Sequence, residues 1–273
     1  MHPVLIQIGT LLIPSYGLLA AAGVLAALGL AHWTAPLAGV ESRHGWNAVV
    51  LGVFAALTMQ RGLLIALNLG NLRAHPRWLL ALALVHHPLL SGVGALAAAA
   101  AVVWYARWAR VPLLRLADTL ASPLALGMAL EQIGCLLAGS DFGRDAGSGA
   151  WGAVTYSSPL AERWSGTPLG VPLVPVQAYA ALGAAVASVL CGLWLLRRAR
   201  QPGEAAGVGS VALGVVVFLT ECWRDWEGRG VVRVARVGEV MDAPQIVALA
   251  MVLVGFLWML DWDGMVGWSA KNG

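Results

Sequence analysis

The sequence predicts an all-α polytopic membrane protein with about seven transmembrane helices. Hydrophobic residues make up 59% of the 273 residues and charged residues only 11%, whereas soluble domains carry roughly 25% charged residues. Seven apolar runs of 18 to 29 residues recur along the chain, and roughly 20 residues cross a bilayer as a helix. The 13 tryptophans cluster near the ends of these runs, as is typical of residues at a membrane interface.

The seven apolar runs define the candidate spans. Each is predicted to be helical, because an unpaired backbone amide is costly in hydrocarbon. Small residues are dense within them and allow helices to pack closely. We expect a single transmembrane domain over residues 1–273, with polar extramembrane loops at about 139–173 and 224–242. The candidate spans are residues 12–33, 47–69, 78–106, 112–138, 174–196, 206–223 and 243–260.

The basic residues of the loops divide equally between the two sides of the membrane, so their number does not set the orientation. Two tight clusters, at residues 107–115 and 197–200, favour their own side as cytoplasmic, which places the N-terminus outside. The arginines are otherwise dispersed, without a basic stripe, so we expect no nucleic-acid partner. The spacing of the three cysteines indicates neither a metal site nor a disulfide framework, and we expect no metal and no cofactor.

Ionisable residues within or at the ends of spans are candidates for function. A charged residue at the centre of a membrane helix costs about 2.5–3.5 kcal/mol and usually faces a partner or a wet cavity. Two interpretations stay open. These residues line a polar cavity that holds a lipid headgroup, or they form structural ion pairs, for example Arg61 with Asp118 or with Glu131. The residues concerned are Arg61, Asp118, Glu131 and Glu221.

One segment, LADTLASPLALGMALEQIGCLLAGSDFGR at residues 116–144, resembles the signature region of the bacterial prolipoprotein diacylglyceryl transferases. Further motifs similar to those of this family occur elsewhere in the chain, and their order along the chain is that of the family. The resemblance covers nearly the whole chain and itself implies seven spans. The additional motifs are Ser-Tyr-Gly-Leu at 15–18, Arg-Gly at 61–62, Trp-Gly-Ala-Val at 151–154, Val-Pro-Val-Gln-Ala-Tyr-Ala at 174–180 and Glu-Cys-Trp-Arg at 221–224.

This resemblance implies a function. The family transfers a diacylglyceryl group from phosphatidylglycerol to the lipobox cysteine thiol of a prolipoprotein, and glycerol phosphate leaves. Arginines are needed to bind the phosphate and stabilise the leaving group, and a base is needed to generate the thiolate. The expected setting is the bacterial plasma (inner) membrane, with multiple crossings. The expected partners are a phospholipid, namely phosphatidylglycerol, and a prolipoprotein or another membrane protein.

The resemblance also implies the site residues. Those expected to bind lipid or phosphate are Arg61, Gln132, Gly139, Arg144, Gln177, Glu221 and Arg224. Those expected to assist the proton transfer are Tyr16, Asp141 and Tyr179.

The chain departs from the family pattern at several of these positions. The signature arginine falls on Gln132, a second arginine on Val217, and the third-span histidine on Leu90. Glutamine donates hydrogen bonds but cannot neutralise a phosphate. Losing one interaction with a charged group costs several kcal/mol of transition-state stabilisation, or roughly a thousandfold in rate.

Three hypotheses follow from this pattern. The first is a working transferase with a rebuilt site. The second is a non-catalytic relative that keeps the fold and serves as a lipid-binding or structural membrane subunit. The third is a small transporter or channel, for which the chain shows no half-to-half repeat or pair of broken helices.

Overall fold

The computed structural model describes residues 2–8, 11–70, 88–147, 149–197, 201–225 and 243–260. Apolar helices account for most of these residues, and four short strands lie among the residues that the structure describes. The strands are β1 (Val4–Ile8), β2 (Leu11–Pro14), β3 (Val154–Thr155) and β4 (Pro172–Leu173). The helices are α1 (Ser15–Leu37), α2 (Ser42–Leu67), α3 (Pro88–Trp108), α4 (Leu113–Ala138), α5 (Pro159–Ser165), α6 (Val176–Leu196), α7 (Glu204–Glu221) and α8 (Ala243–Met259).

The helices confirm the predicted all-α polytopic membrane fold. Five of them, α1, α2, α4, α6 and α7, are long and apolar enough to cross a bilayer. The apolar parts of α3 and α8, Gly92–Trp108 and Pro244–Met259, are shorter. Each of the seven predicted spans overlaps one of these helices. Residues 78–87 of the third predicted span and residues 226–242 of the second polar loop lie outside the described residues.

The first span begins three residues later than the sequence predicted. β1 and β2 form an antiparallel hairpin directly before α1, so residues 12–14 are extended. Pro14 stands at the N-cap position with φ −69° and ψ 139°, an extended conformation that ends β2 and precedes the first helical turn. The Ser15 amide donates to the carbonyl of Pro3 at 2.9 Å, which ties the start of α1 to the hairpin.

α4 lies at the centre of the bundle, where it packs against α1, α6 and α7. Half (50%) of its most apolar stretch is buried, against 22% for α2. Small residues allow the close approach that this position needs. A Cβ atom on Gly23 of α1, for example, would come within 3.0 Å of the Gly127 carbonyl oxygen.

Polar side chains fasten α4 to its neighbours inside the bundle. Ser122 of α4 and Ser188 of α6 each donate to the other's carbonyl oxygen, at 2.8 and 2.9 Å. Asp118 accepts from the Gly203 amide at 2.7 Å and the Ala206 amide at 2.8 Å. Since the first amides of a helix lack partners within it, Asp118 caps the start of α7 from another helix.

The ion pair suggested between Arg61 and Asp118 is therefore not formed. The buried carboxylate of Asp118 is used by backbone amides of α7, which satisfy it without a cation. A carboxylate at a helix N-terminus is also favoured by the helix dipole.

The polar segment predicted as a loop at 139–173 folds into a small unit on the end of α4. β3 pairs with β4 in antiparallel register, and the short helix α5 closes over them. Phe142, Tyr156, Ala161 and Leu173 are buried together as its core. This unit and the ends of α6 and α7 carry several of the candidate site residues, among them Asp141, Arg144 and Arg224.

Candidate functional site

The C-terminal end of α4 is a turn held by side chains from other segments. Gly139 ends the helix with φ +90°, a conformation that favours glycine. Thr167 donates its hydroxyl to the Gly139 carbonyl at 2.8 Å. The Gln177 side-chain amide donates to the Ser140 carbonyl at 2.7 Å. Gly139 and Gln177, both predicted to bind lipid, thus shape the turn that positions the residues after it.

A buried charge cluster, defined as Asp141, Glu221 and Arg224, follows this turn. The Arg224 guanidinium lies 3.7 Å from the Asp141 carboxylate and 3.1 Å from the Glu221 carboxylate. The three side chains are only 7–11% exposed. The thiol of Cys135 is 3.8 Å from Asp141 and donates to it. Asp141 and Glu221 therefore neutralise Arg224 within the fold.

Two other predicted site residues lie on α1 and α4. The Tyr16 hydroxyl donates to the Glu131 carboxylate at 3.1 Å and joins the two helices. The side chain of Gln132 is buried, and its carbonyl oxygen has no hydrogen-bond partner among the described residues. This buried oxygen stands where the resemblance implies an arginine.

A groove of about 1050 Å³ runs between α6 and α7, and its walls are mainly apolar. Leu182 on α6 is 67% exposed and Leu219 on α7 is 49% exposed, so the groove opens towards the lipid-facing side of the bundle. Gly183 on its floor allows close contact, because a Cβ atom there would lie 2.5 Å from Val216. The walls come from Leu182, Gly183, Val186, Ala187, Leu190, Ala212, Val215, Val216 and Leu219.

One end of this groove is polar and aromatic. Arg144, Asp145, Trp151, Tyr179 and Trp223 line it. The rings of Tyr179 and Trp223 meet edge to face, with centroids 6.5 Å apart. In the part of the chain that the structure describes, no carboxylate lies within ion-pair distance of the Arg144 guanidinium. Arg144 is thus an exposed cation available to a ligand in the groove.

The main chain around Arg144 is fixed although its side chain is exposed. The Arg144 amide donates to the Trp223 carbonyl at 2.9 Å, and the Val174 amide donates to the Arg144 carbonyl at 3.0 Å. Gly143 fits between these segments without a side chain. A Cβ atom there would lie 2.3 Å from the Val174 oxygen and 3.0 Å from the Trp223 oxygen. The backbone therefore holds Arg144 at the rim of the groove.

The structure thus separates the predicted site residues. Arg144 and Tyr179 line the groove. Asp141, Glu221 and Arg224 form the buried charge cluster, and Gly139 and Gln177 hold the adjoining turn. Arg61 is half-buried on α2, and Val217 is half-buried on α7. The side chain of Leu90 lies outside the described residues.

Sequence reasoning missed the groove and part of its rim. Asp145, Trp151 and Trp223 were not proposed as site residues, although Asp145 directly follows Arg144, the last residue of the signature segment. The walls are ordinary aliphatic residues of two spans, and no sequence pattern sets them apart from side chains that face lipid. A tryptophan within a glycine-rich stretch, Trp151, was the clearest signal in the sequence.

In the part of the chain that the structure describes, seven apolar helices and a groove with apolar walls and a cationic rim define a multi-pass membrane protein. A sequence model of the prolipoprotein diacylglyceryl transferases matches residues 3–260, and the chain belongs to this family. It is accordingly a multi-pass protein of the bacterial inner membrane. The full-length match leaves the transporter hypothesis without a supporting observation.

Three relatives illustrate the similarity, and each is named phosphatidylglycerol–prolipoprotein diacylglyceryl transferase. The protein from Clostridium tetani is 24% identical over 265 residues, covering 96% of this chain and 98% of the relative. The protein from Vibrio cholerae is 28% identical over 285 residues, covering 100% and 93%. The protein from Verminephrobacter eiseniae is 31% identical over 242 residues, covering 82% and 81%.

Proposed function

We propose that this chain binds a glycerophospholipid in the groove between α6 and α7, with the lipid phosphate on Arg144. One observation carries the proposal: an exposed cation without an ion-pair partner among the described residues stands at the polar end of an apolar groove. Guanidinium groups bind phosphate through charge-assisted and often paired hydrogen bonds. Phosphatidylglycerol, named for the relatives, belongs to this lipid class.

The dimensions of the groove support an acyl chain. Its α6 wall runs from Tyr179 to Leu190, and at a rise of about 1.5 Å per residue these positions lie about 16 Å apart. The hydrocarbon core of a bilayer is about 30 Å thick, so this wall spans about one leaflet. Aromatic residues at the polar end match the headgroup level, where such side chains are enriched.

The buried charge cluster favours lipid binding without catalysis. Arg224, a candidate for the phosphate site, is neutralised by Asp141 and Glu221. Arg144 is therefore the cation that the described residues offer to the groove. A leaving phosphate that develops charge needs several donors placed where that charge appears. We infer that this chain is a lipid-binding member of the family. It keeps the fold but has lost most of the arginines that would bind the phosphate.

The second candidate is diacylglyceryl transfer itself, favoured by the full-length family match and by Arg144 with Tyr179 at the polar end of the groove. In this reaction the cysteine sulfur of a prolipoprotein attacks the carbon of the diacylglycerol unit that is bonded to the phosphate oxygen. The carbon–oxygen bond breaks, and glycerol phosphate leaves with its charge stabilised by Arg144. Tyr179 is better placed than Asp141 to assist removal of the thiol proton, since Asp141 is held by Arg224.

Replacing Arg144 tests the lipid proposal. We expect Arg144→Gln to retain roughly tenfold less co-purified phospholipid, because one charge-assisted phosphate contact contributes about 1.5–3 kcal/mol. Lipid is extracted from the purified protein and quantified by mass spectrometry. Arg163→Gln, which removes an exposed arginine of α5, is the matched control. Unchanged lipid content in Arg144→Gln would contradict the proposal.

The same purified protein separates the two candidates. It is incubated in phosphatidylglycerol vesicles with a lipobox peptide, and thioether formation on the peptide is followed. Bound lipid without thioether formation supports the lipid-binding member. Thioether formation that is lost in Arg144→Gln supports the transferase.

We also propose that the N-terminus lies outside, as the arginine clusters at 107–115 and 197–200 suggest. The folded segment at 139–173 then faces the same outer side. A cysteine placed at exposed Arg163 in a Cys222→Ser background tests this with a membrane-impermeant maleimide. Labelling in intact spheroplasts supports the orientation, and labelling that requires lysis contradicts it.

A further inference from the structure

The rim of the groove carries an anion next to its cation. Arg144 and Asp145 are consecutive, both are exposed, and both line the groove. One oxygen of Asp145 accepts the Gly147 amide at 2.8 Å. Within the described ranges, no salt bridge joins Asp145 to Arg144 or to another cation. The rim thus offers one charge of each sign to a ligand.

Aromatic rings accompany these two charges. Trp151 is fully exposed, and Trp223 is 39% exposed. Both line the same end of the groove together with Tyr179. The face of an aromatic ring attracts a cation, and tryptophan does so most strongly. The rim therefore combines a phosphate-binding cation with groups that bind an ammonium.

The formal charges at the polar end of the groove favour a ligand without net charge. Arg224 is occupied by the two carboxylates of the buried charge cluster and adds no free positive charge to the groove. Arg144 and Asp145 sum to zero. A binding surface tends to complement the charge distribution of its ligand. A headgroup with one negative and one positive charge matches this rim better than a headgroup with a net negative charge.

We propose that the groove selects a zwitterionic aminophospholipid over phosphatidylglycerol, with its phosphate on Arg144 and its ammonium on Asp145 and the aromatic rim. This inference rests on the lipid-binding function proposed above. Both residues line the same end of the groove, so one headgroup reaches both. The ammonium forms an ion pair with the Asp145 carboxylate, whereas a glycerol hydroxyl brings no positive charge to it.

Competition between two lipids tests this selectivity. The purified full-length chain is delipidated in a neutral detergent and given equimolar phosphatidylethanolamine and phosphatidylglycerol with identical acyl chains. Bound lipids are counted by native mass spectrometry. We expect phosphatidylethanolamine to be enriched about threefold, within the range of an exposed charge pair. Equal binding, or enrichment of phosphatidylglycerol, would overturn the inference.

Asp145→Asn tests whether the negative charge at the rim determines the lipid preference. Asparagine keeps a carbonyl oxygen for the Gly147 amide, so the local turn is preserved while the negative charge is lost. We expect the ratio of the two lipids to fall to about one, because the ammonium loses its ion partner. Glu162→Gln removes an exposed carboxylate of α5 that does not line the groove and is expected to leave the ratio unchanged.

The outcomes separate this inference from the function on which it rests. Retention of neither lipid by the wild-type chain would overturn both proposals. Binding of both lipids with a ratio that Asp145→Asn does not change would overturn the headgroup selectivity and leave lipid binding standing. A melting temperature of Asp145→Asn close to that of the wild type shows that the ratio reports on the rim and not on folding.

Discussion

Arg224 in the buried charge cluster and Arg144 at the groove rim place the same side chain in two opposite environments. They belong to neighbouring backbone segments, since Gly143 pairs with Arg224 in a β-bridge. Arg224 is about 10% exposed and held by two carboxylates, whereas Arg144 is exposed and free of such partners among the described residues. One arginine therefore stabilises the fold, and the other is available to a ligand.

The largest expected effect comes from removing the buried arginine. Arg224→Gln leaves the carboxylates of Asp141 and Glu221 without their shared cation in a site that water barely reaches. Breaking a buried ion pair in this way costs about 3–5 kcal/mol. We expect the midpoint of thermal unfolding in detergent to fall steeply, with much less folded protein recovered from membranes.

The exposed Arg144 provides the control for Arg224→Gln. Arg144→Gln should unfold close to the wild-type temperature, because exposed substitutions usually change stability by no more than about 0.5 kcal/mol. An equal loss of stability in the two variants would contradict the different roles of Arg224 and Arg144. These roles are also contradicted if Arg224→Gln melts like the wild type and loses only lipid, which would place Arg224 in the binding site.

The fold was predictable because hydrophobicity in a membrane protein is a local property. Each span is an apolar run about long enough to cross a bilayer, and the bounds of α4 and α6 differ from the predicted spans by at most two residues. The hairpin at residues 4–14 was not predicted, and its last residues, 12–14, were included in the first predicted span. Pro14 was the local signal that α1 begins later.

The site was less predictable because it depends on contacts between distant segments. The signature segment drew attention to Asp141, Arg144 and Arg224, but sequence could not show that Asp141 is bound to Arg224 across 83 positions of the chain. Asp118 likewise caps a helix that begins at Glu204. Residue type identified these groups as costly to bury, and only the fold shows which partner satisfies each one.

A smaller effect is expected at the glycine that joins the two regions. Gly143→Ala puts a Cβ atom 2.3 Å from the Val174 carbonyl oxygen and 2.6 Å from the Val176 side chain. Backbone must move to relieve the first contact, and such overpacking costs about 1–3 kcal/mol. We expect a lower melting temperature and reduced lipid retention together, since both arginines depend on this backbone.

Gly29→Ala is the matched control for this glycine, because a Cβ atom there meets nothing within 4 Å. In a helix interior this change is expected to be neutral or stabilising by up to about 1 kcal/mol. Gly143→Ala with unchanged stability and unchanged lipid content would show that the segment between the cluster and the groove adapts, and that the two regions are not coupled through it.

The smallest effect concerns Tyr156, which supports the turn beside the buried charge cluster. Its ring is 1% exposed, and its hydroxyl donates to the Leu136 carbonyl of α4 at 2.9 Å. Tyr156→Phe removes this bond and is expected to cost about 1 kcal/mol. Lipid retention should stay at the wild-type level, because Tyr156 does not line the groove.

The pH dependence of Tyr156→Phe sharpens this prediction. Burial raises the pKa of Tyr156 to about 12, above its ordinary value of about 10. The neutral phenol thus contributes stability that is fully present below about pH 10 and is lost as the pH rises towards 12. Between about pH 8 and pH 11 the wild type should lose more of its melting temperature than the variant, which has no phenol to ionise. Parallel melting curves would contradict the buried position of Tyr156.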